Sequence, residues 1–181
     1  EEIDRGRRIL IFTYTQENPQ NLRQKIIAQH GGISPNVLVA TYFTFLHGFC
    51  YRPIVGFKVR SRGLTFDSPP LKSRFNQTQD GYFIDTGRRM YHGRLAKFLR
   101  LRGHVPEVIQ RIEEFFDLVC VDEVQDFAGN DFDFLMELLA RRVQMLLVGD
   151  CRQHTYDSSR HGVKNEGLQE DFCASAPRFS N

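Results

Sequence analysis

No G-x-x-x-x-G-K-[ST] segment occurs anywhere in the 181 residues. The backbone amides and the lysine of such a loop cradle the outer phosphates of a nucleotide, so the chain alone is expected to bind nucleotide very weakly. There is no apolar run near the ~20 residues that a membrane-spanning helix needs; no secretory signal is visible either, which means little in a chain that starts at Glu1-Glu2. There is no C-x-x-C pair, since Cys50, Cys120, Cys151 and Cys173 are far apart. Cys120 sits in an apolar run, where a free cysteine acts as a small hydrophobe, and a reducing cytoplasm is the expected setting. Cys151, His154, His161 and Cys173 match no standard zinc spacing and read as scattered loop residues. Neither sign of charge dominates: 24 basic against 22 acidic residues leave a net +2. Bulk charge therefore argues neither for nor against a nucleic-acid partner. No internal repeat or low-complexity tract is present. The chain begins at Glu1-Glu2 without an initiator Met, which reads as an internal piece of a longer protein.

What is present is an ordinary globular composition, 41% apolar and 25% charged, in a chain long enough for one core-bearing domain and a small insertion. Buried strands are expected at Arg8–Tyr14, Asn36–Thr41, Leu118–Asp122 and Gln144–Val148. Helices are expected from Asn18-Pro19 to Gly31, over Thr44–Phe49, Arg94–Leu101 and Pro106–Phe116, and over Asp131–Arg142. Between Tyr51 and Phe83 glycine, proline, serine, asparagine and glutamine break the periodicity, and a hairpin is expected over Tyr82–Tyr91. Apolar strands separated by helices indicate an α/β domain with a mainly parallel sheet.

Two of these strands end in polar tips about thirty residues apart. The first runs Leu118-Val119-Cys120-Val121-Asp122-Glu123-Val124-Gln125-Asp126. The second runs Met145-Leu146-Leu147-Val148-Gly149-Asp150-Cys151-Arg152-Gln153-His154-Thr155-Tyr156. Ligands of parallel sheets sit at the carboxyl ends of the strands. In phosphoryl transfer to water one carboxylate serves near Mg²⁺ and one near the attacking water. Asp122 is the candidate for the metal, through water, and Glu123 for the water. Gln153 and Asp150 are the candidates for the nucleotide, because an amide that both donates and accepts suits sensing a terminal phosphate.

DEVQD followed by VGDxxQxxY resembles the Walker B motif and motif III of UvrD/Rep-like superfamily 1 DNA helicases. Ile9 to Thr15 looks like motif Ia of that family and Val39 to Phe45 like motif Ib. Gln16 replaces the usual Asn of the first and Phe43 the usual His of the second. The resemblance spans roughly residues 8 to 160 and implies a P-loop NTPase (RecA-like) three-layer motor domain, incomplete at its N-terminus. It further implies ATP and Mg²⁺ as cofactors, and single-stranded DNA and duplex junctions as partners. Thr13, Tyr14, Thr15, Thr41, Tyr42, Phe43 and Tyr156 are then the expected DNA contacts. Aromatic rings at strand tips suit that role, because bases stack on them. Plain core packing is the alternative for each ring.

The expected plan is a first part of the motor at 1–50 and an insertion at 51–105, by analogy a DNA-binding subdomain. A second part of the motor follows at 106–160 and an irregular, truncated tail at 161–181. Basic residues flank the insertion: Arg52, Lys58, Arg60 and Arg62 on one side, Arg88, Arg89, Arg94, Lys97, Arg100 and Arg102 on the other. The missing phosphate loop and second motor domain are expected in the rest of the same polypeptide, and the isolated chain is expected to be inactive. Two other classes fit part of the pattern. One is a metal-dependent nuclease or phosphohydrolase using Asp122, Glu123, Asp126 and Asp150. The other is a non-catalytic DNA-binding module derived from a helicase.

Overall fold

The structure is a computed structural model, and it describes residues 6–14, 18–70, 74–139 and 143–149. Its main sheet has four parallel strands: β1 (Ile9–Thr13), β2 (Val37–Thr41), β5 (Leu118–Asp122) and β6 (Gln144–Leu147). They lie in the order β2-β1-β5-β6. Each inner strand is a nearly continuous apolar run, as burial on both faces demands. Thr13 is in register with Thr41 on one side and Asp122 on the other, so the strand tips form one edge. Among the described residues no strand pairs with the outer side of β6.

Helix α1 (Asn18–His30) covers one face through Ile26, which packs with Ile9, Val37, Val39 and Leu118. It ends where Gly31 turns left-handed, φ +74°, and donates its N–H to Ile27 O at 2.8 Å, a conformation glycine adopts without steric cost. The opposite face carries the larger core. There α4 (Leu95–Leu101), α5 (Val105–Phe115) and α6 (Gly129–Leu139) bring Leu95, Phe98, Val108, Ile112, Phe132 and Leu135 against the strands.

The largest departure from expectation is the segment after β2. In place of a short helix at Thr44–Phe49, helical structure runs from α2 (Tyr42–Thr44) through a π-helical stretch, Phe45–Gly56, into α3 (Phe57–Val59). Pro53 lies inside it. A proline removes one i→i−4 bond and crowds a carbonyl, and the wider winding accommodates it. Burial of Phe45, Leu46, Cys50, Tyr51 and Val55 outweighs the helix-breaking residues that made this stretch look irregular.

The region after α3 also contains a small sheet of its own. β3 (Gly63–Thr65) pairs in parallel with β4 (Arg89–Tyr91). The expected return over Tyr82–Tyr91 closes through Ile84 bridged to Met90 and the bond from Arg88 N–H to Asp85 O, 3.0 Å. Helix α6 starts at Gly129, two residues before the expected Asp131, and β5 has the expected limits. No helix of the described residues is long and apolar enough to cross a membrane.

Candidate functional site

The central strand β5 carries its acids to the middle of the sheet edge. Immediately after Asp122 the backbone turns sharply: Glu123 is left-handed (φ 54°, ψ 48°) and opens a 3-10 turn over Val124–Asp126. A non-glycine residue held there costs on the order of 1–3 kcal/mol and is typical of functional sites. The kink is held from outside, because Val124 N–H donates to Val148 O at 3.1 Å and Val148 N–H to Val121 O at 2.8 Å. It is also held from within, since Gln125, 5% exposed, donates its amide Nε2–H to Glu123 Oε2. Gly149 passes close to the same turn. A Cβ at that position would lie 2.2 Å from Gln125 Oε1 and 3.0 Å from Val124 N, so only glycine lets the exit of β6 run beside the acids.

The tips of β1 and β2 carry rings instead. Tyr14, half-buried, stacks on Tyr42 at 5.8 Å between centroids and meets Phe43 and Phe127 edge-on at 5.4 and 5.0 Å. Both phenols converge on one buried carboxylate: Tyr42 Oη–H donates to Asp131 Oδ1 at 3.1 Å and Tyr14 Oη–H to Oδ2 at 3.4 Å. Burial pushes the Asp131 carboxyl up to about 7 despite those bonds, which pull it down. Burial, followed by the Asp131 charge, holds the Tyr42 phenol well above its ordinary range. Asp131 lies in the first turn of the helix that follows the acid tip, so it ties the aromatic tips to that helix.

Asp122, Glu123, Thr13, Tyr14, Thr41, Tyr42 and Phe43 therefore do share one sheet edge. Two of them are buried in that edge. Thr13 is 0% and Tyr42 1% exposed, because the strand register and the Asp131 hydrogen bond draw them into the core. Phe43 is 8% exposed yet lines a surface cleft. Thr41 caps α2, its Oγ1 accepting from Thr44 N–H at 3.1 Å. Thr15, Asp150, Gln153 and Tyr156 lie outside the described residues, as do Cys151, His154, His161 and Cys173. Gln125 and Asp131 were not singled out from the sequence. Gln125 stands two residues from the acid it holds, inside the very run that pointed to the site. Asp131 gives no local signal, since its partners are 89 and 117 positions away.

The family model for the UvrD/REP helicase N-terminal domain matches residues 84–161. Over that stretch the chain is similar to the UvrD/REP helicase N-terminal domain. No curated protein matches the chain. The match implies a helicase relationship, and the α/β fold with its parallel sheet is consistent with this domain, a P-loop NTPase. The UvrD/REP segment takes in β4, α4, α5, β5, the acid turn, α6 and β6. The family implies ATP and Mg²⁺ in general. Among the described residues no three His, Cys, Asp or Glu side chains converge as a metal cage. Mg²⁺ does not need one, because it keeps several waters and takes one or two carboxylates together with substrate phosphates. The donor set of Asp122 with the adjacent Glu123 fits an ion of that kind. The sequence supplies no cradle for the phosphates themselves.

Proposed function

We propose that this chain is part of an ATP-dependent DNA helicase, the part that supplies the metal-side acid, the water-side acid and a portion of the single-strand path. The observation that carries the reading is the adjacent pair Asp122–Glu123 on a sharp turn at the carboxyl end of a central parallel strand, with Gln125 holding Glu123. Bound nucleotide with Mg²⁺ would supply the transferable phosphoryl group. Asp122 would hold the ion through water, and Glu123 would orient and deprotonate the attacking water. Gln125 would keep the Glu123 carboxylate aimed, as a positioning residue. Gln153 and Asp150 are proposed to sense the terminal phosphate. Tyr14 is proposed to face single-stranded DNA, coupled to the acid tip through Asp131, Phe127 and the turn between them. Residues 51–105 are proposed as an insertion of the motor domain.

Without a phosphate loop in its sequence, the chain alone is proposed to be inactive, its phosphate cradle and second motor domain lying elsewhere in the same polypeptide. The test is DNA-stimulated ATP hydrolysis by the protein expressed from its natural reading frame. Glu123→Gln should lower kcat by about 10²–10⁴-fold, the usual worth of a general base, with nucleotide binding retained. An unchanged rate would overturn the assignment. Cleavage of DNA with Mg²⁺ and no nucleotide would instead favour a metal-dependent nuclease using the same acids.

A further inference from the structure

Phe57 is the most exposed large apolar side chain of the described residues, at 90%. It stands in the short α3, at the far end of the helical stretch that follows β2. Its turn is fixed by the backbone around it. Arg60 is left-handed (φ 54°) and donates its N–H to Gly56 O at 2.9 Å. Arg88 reaches over from β4's approach, donating Nε–H to Arg60 O at 2.9 Å and an Nη2–H to Val59 O at 2.7 Å. An ordered turn therefore presents the ring to water, and little conformational freedom remains to be lost when a partner covers it. Pro53, one turn earlier, is exposed as well, so the apolar surface continues along the helix.

A lone exposed ring is ordinary; the charge beside this one gives it direction. No Asp or Glu occurs from Asn18 to Phe66. Arg52, Lys58, Arg60 and Arg62 flank the ring in the chain, and all four are exposed. No carboxylate of the described residues pairs with any of them. The acids of the insertion itself are already engaged: Arg89 holds Asp67 and Asp85, at 3.3 and 2.7 Å, and Arg102 holds Asp80 at 2.8 Å. The complement of this surface is a group that brings negative charge and apolar side chains together. A phosphate backbone would meet the cations and leave the ring unused. A base stacks best on a ring held in place by its neighbours, as Tyr14 and Phe43 hold each other at 5.4 Å. Phe57 touches no other ring of the described residues. An aliphatic side chain can close on it from any side, because burial of apolar surface has no direction.

We infer that Phe57 and its flanking cations dock an acidic segment of a partner protein, one in which aspartate or glutamate is interspersed with aliphatic side chains. This goes beyond the proposed function and does not rest on it. The experiment is fluorescence anisotropy of three labelled probes, each titrated with the full chain: a peptide of alternating aspartate and leucine, polyglutamate, and an oligodeoxythymidine. The aspartate–leucine peptide should bind more tightly than polyglutamate. Phe57→Ala should weaken it roughly 5- to 30-fold, as loss of an interface anchor does, and leave polyglutamate unchanged, while Phe57→Leu should keep the binding. Lys58→Glu should weaken both peptides by up to about 5-fold, the worth of an exposed ion pair, and added salt should weaken both as well. Circular dichroism checks that each variant is folded; should Phe57→Ala not fold, Lys58→Glu and the wild-type preference for leucine over polyglutamate still decide. Equal weakening of oligodeoxythymidine by Phe57→Ala would make the patch a nucleic-acid contact and overturn the inference. So would no binding of the aspartate–leucine peptide at low salt, or binding that neither variant changes.

Discussion

The tip of β5 and the tips of β1 and β2 share one edge of one sheet, yet their side chains are satisfied in different ways. At β5 the acids stand on a strained turn. Glu123 is held by a neutral amide from Gln125, and among the described residues no protein cage surrounds the pair. At β1 and β2 the rings pack on one another, and their hydroxyls are taken internally by Asp131. In the proposed function the first tip would receive charge from outside. The second is chemically closed, so what it can offer a partner is ring surface and not a hydrogen-bonding hydroxyl. The proposed motor, reading nucleotide at one place and holding a strand at another, would need these two kinds of surface side by side.

Phe127 joins the two tips. It is fully buried, follows directly on the acid turn and lies edge-on to Tyr42 at 4.8 Å and Tyr14 at 5.0 Å. Phe127→Ala should therefore have the largest effect, about 3–5 kcal/mol of stability in denaturant unfolding. A loss under about 1 kcal/mol, small for a buried ring, would mean that the tips are packed independently. Gly149→Ala should strike the acid tip alone. Its methyl must displace Gln125 or the backbone of Val124, at about 1–3 kcal/mol, while the aromatic tip stays intact by near-ultraviolet circular dichroism. Equal stability of this variant would show that β6 does not run so close to the turn.

Acidity separates the tips further. With its carboxyl raised to about 7, Asp131 keeps in the folded state a proton that the unfolded chain gives up near pH 4. Stability should accordingly fall as pH rises from about 4 to about 7 and level off above. Asp131→Asn should flatten that window, as read by denaturant midpoints across pH, and a slope that survives would place its origin elsewhere. The smallest effect belongs far from both tips. Arg8 donates to Asp117 at 2.7 Å and holds that carboxylate down to about 2. The contribution is present above about pH 4 and lost as pH falls through 2. Being exposed, it should also fade with added salt, which Asp117→Asn would confirm by removing the salt dependence.

The strands of the main sheet were legible because a strand buried on both faces leaves an unbroken apolar run, and β5 ends where its first carboxylate appears. The acid pair was legible for the same reason, since polarity switches abruptly at a strand end. The helical stretch through Val59 was not, because Pro53 and Gly56 signal a break that burial of Tyr51 and Val55 overrides. The three-residue strands β3 and β4 are too short to show a period. Among the site residues, Tyr42 carried two readings, base stacking or core packing. The bond to Asp131 that accompanies its burial joins distant segments, and no local pattern encodes it.

The claim that this chain supplies the acids of an ATP motor and not its phosphate cradle is tested most directly by translating about fifty codons immediately upstream of Glu1. The account predicts an apolar strand followed by G-x-x-G-x-G-K-[ST], a loop able to hold the phosphates beside Asp122 and Glu123. A start codon adjoining Glu1, with no such loop before it, would contradict the motor and leave a DNA-binding module in its place.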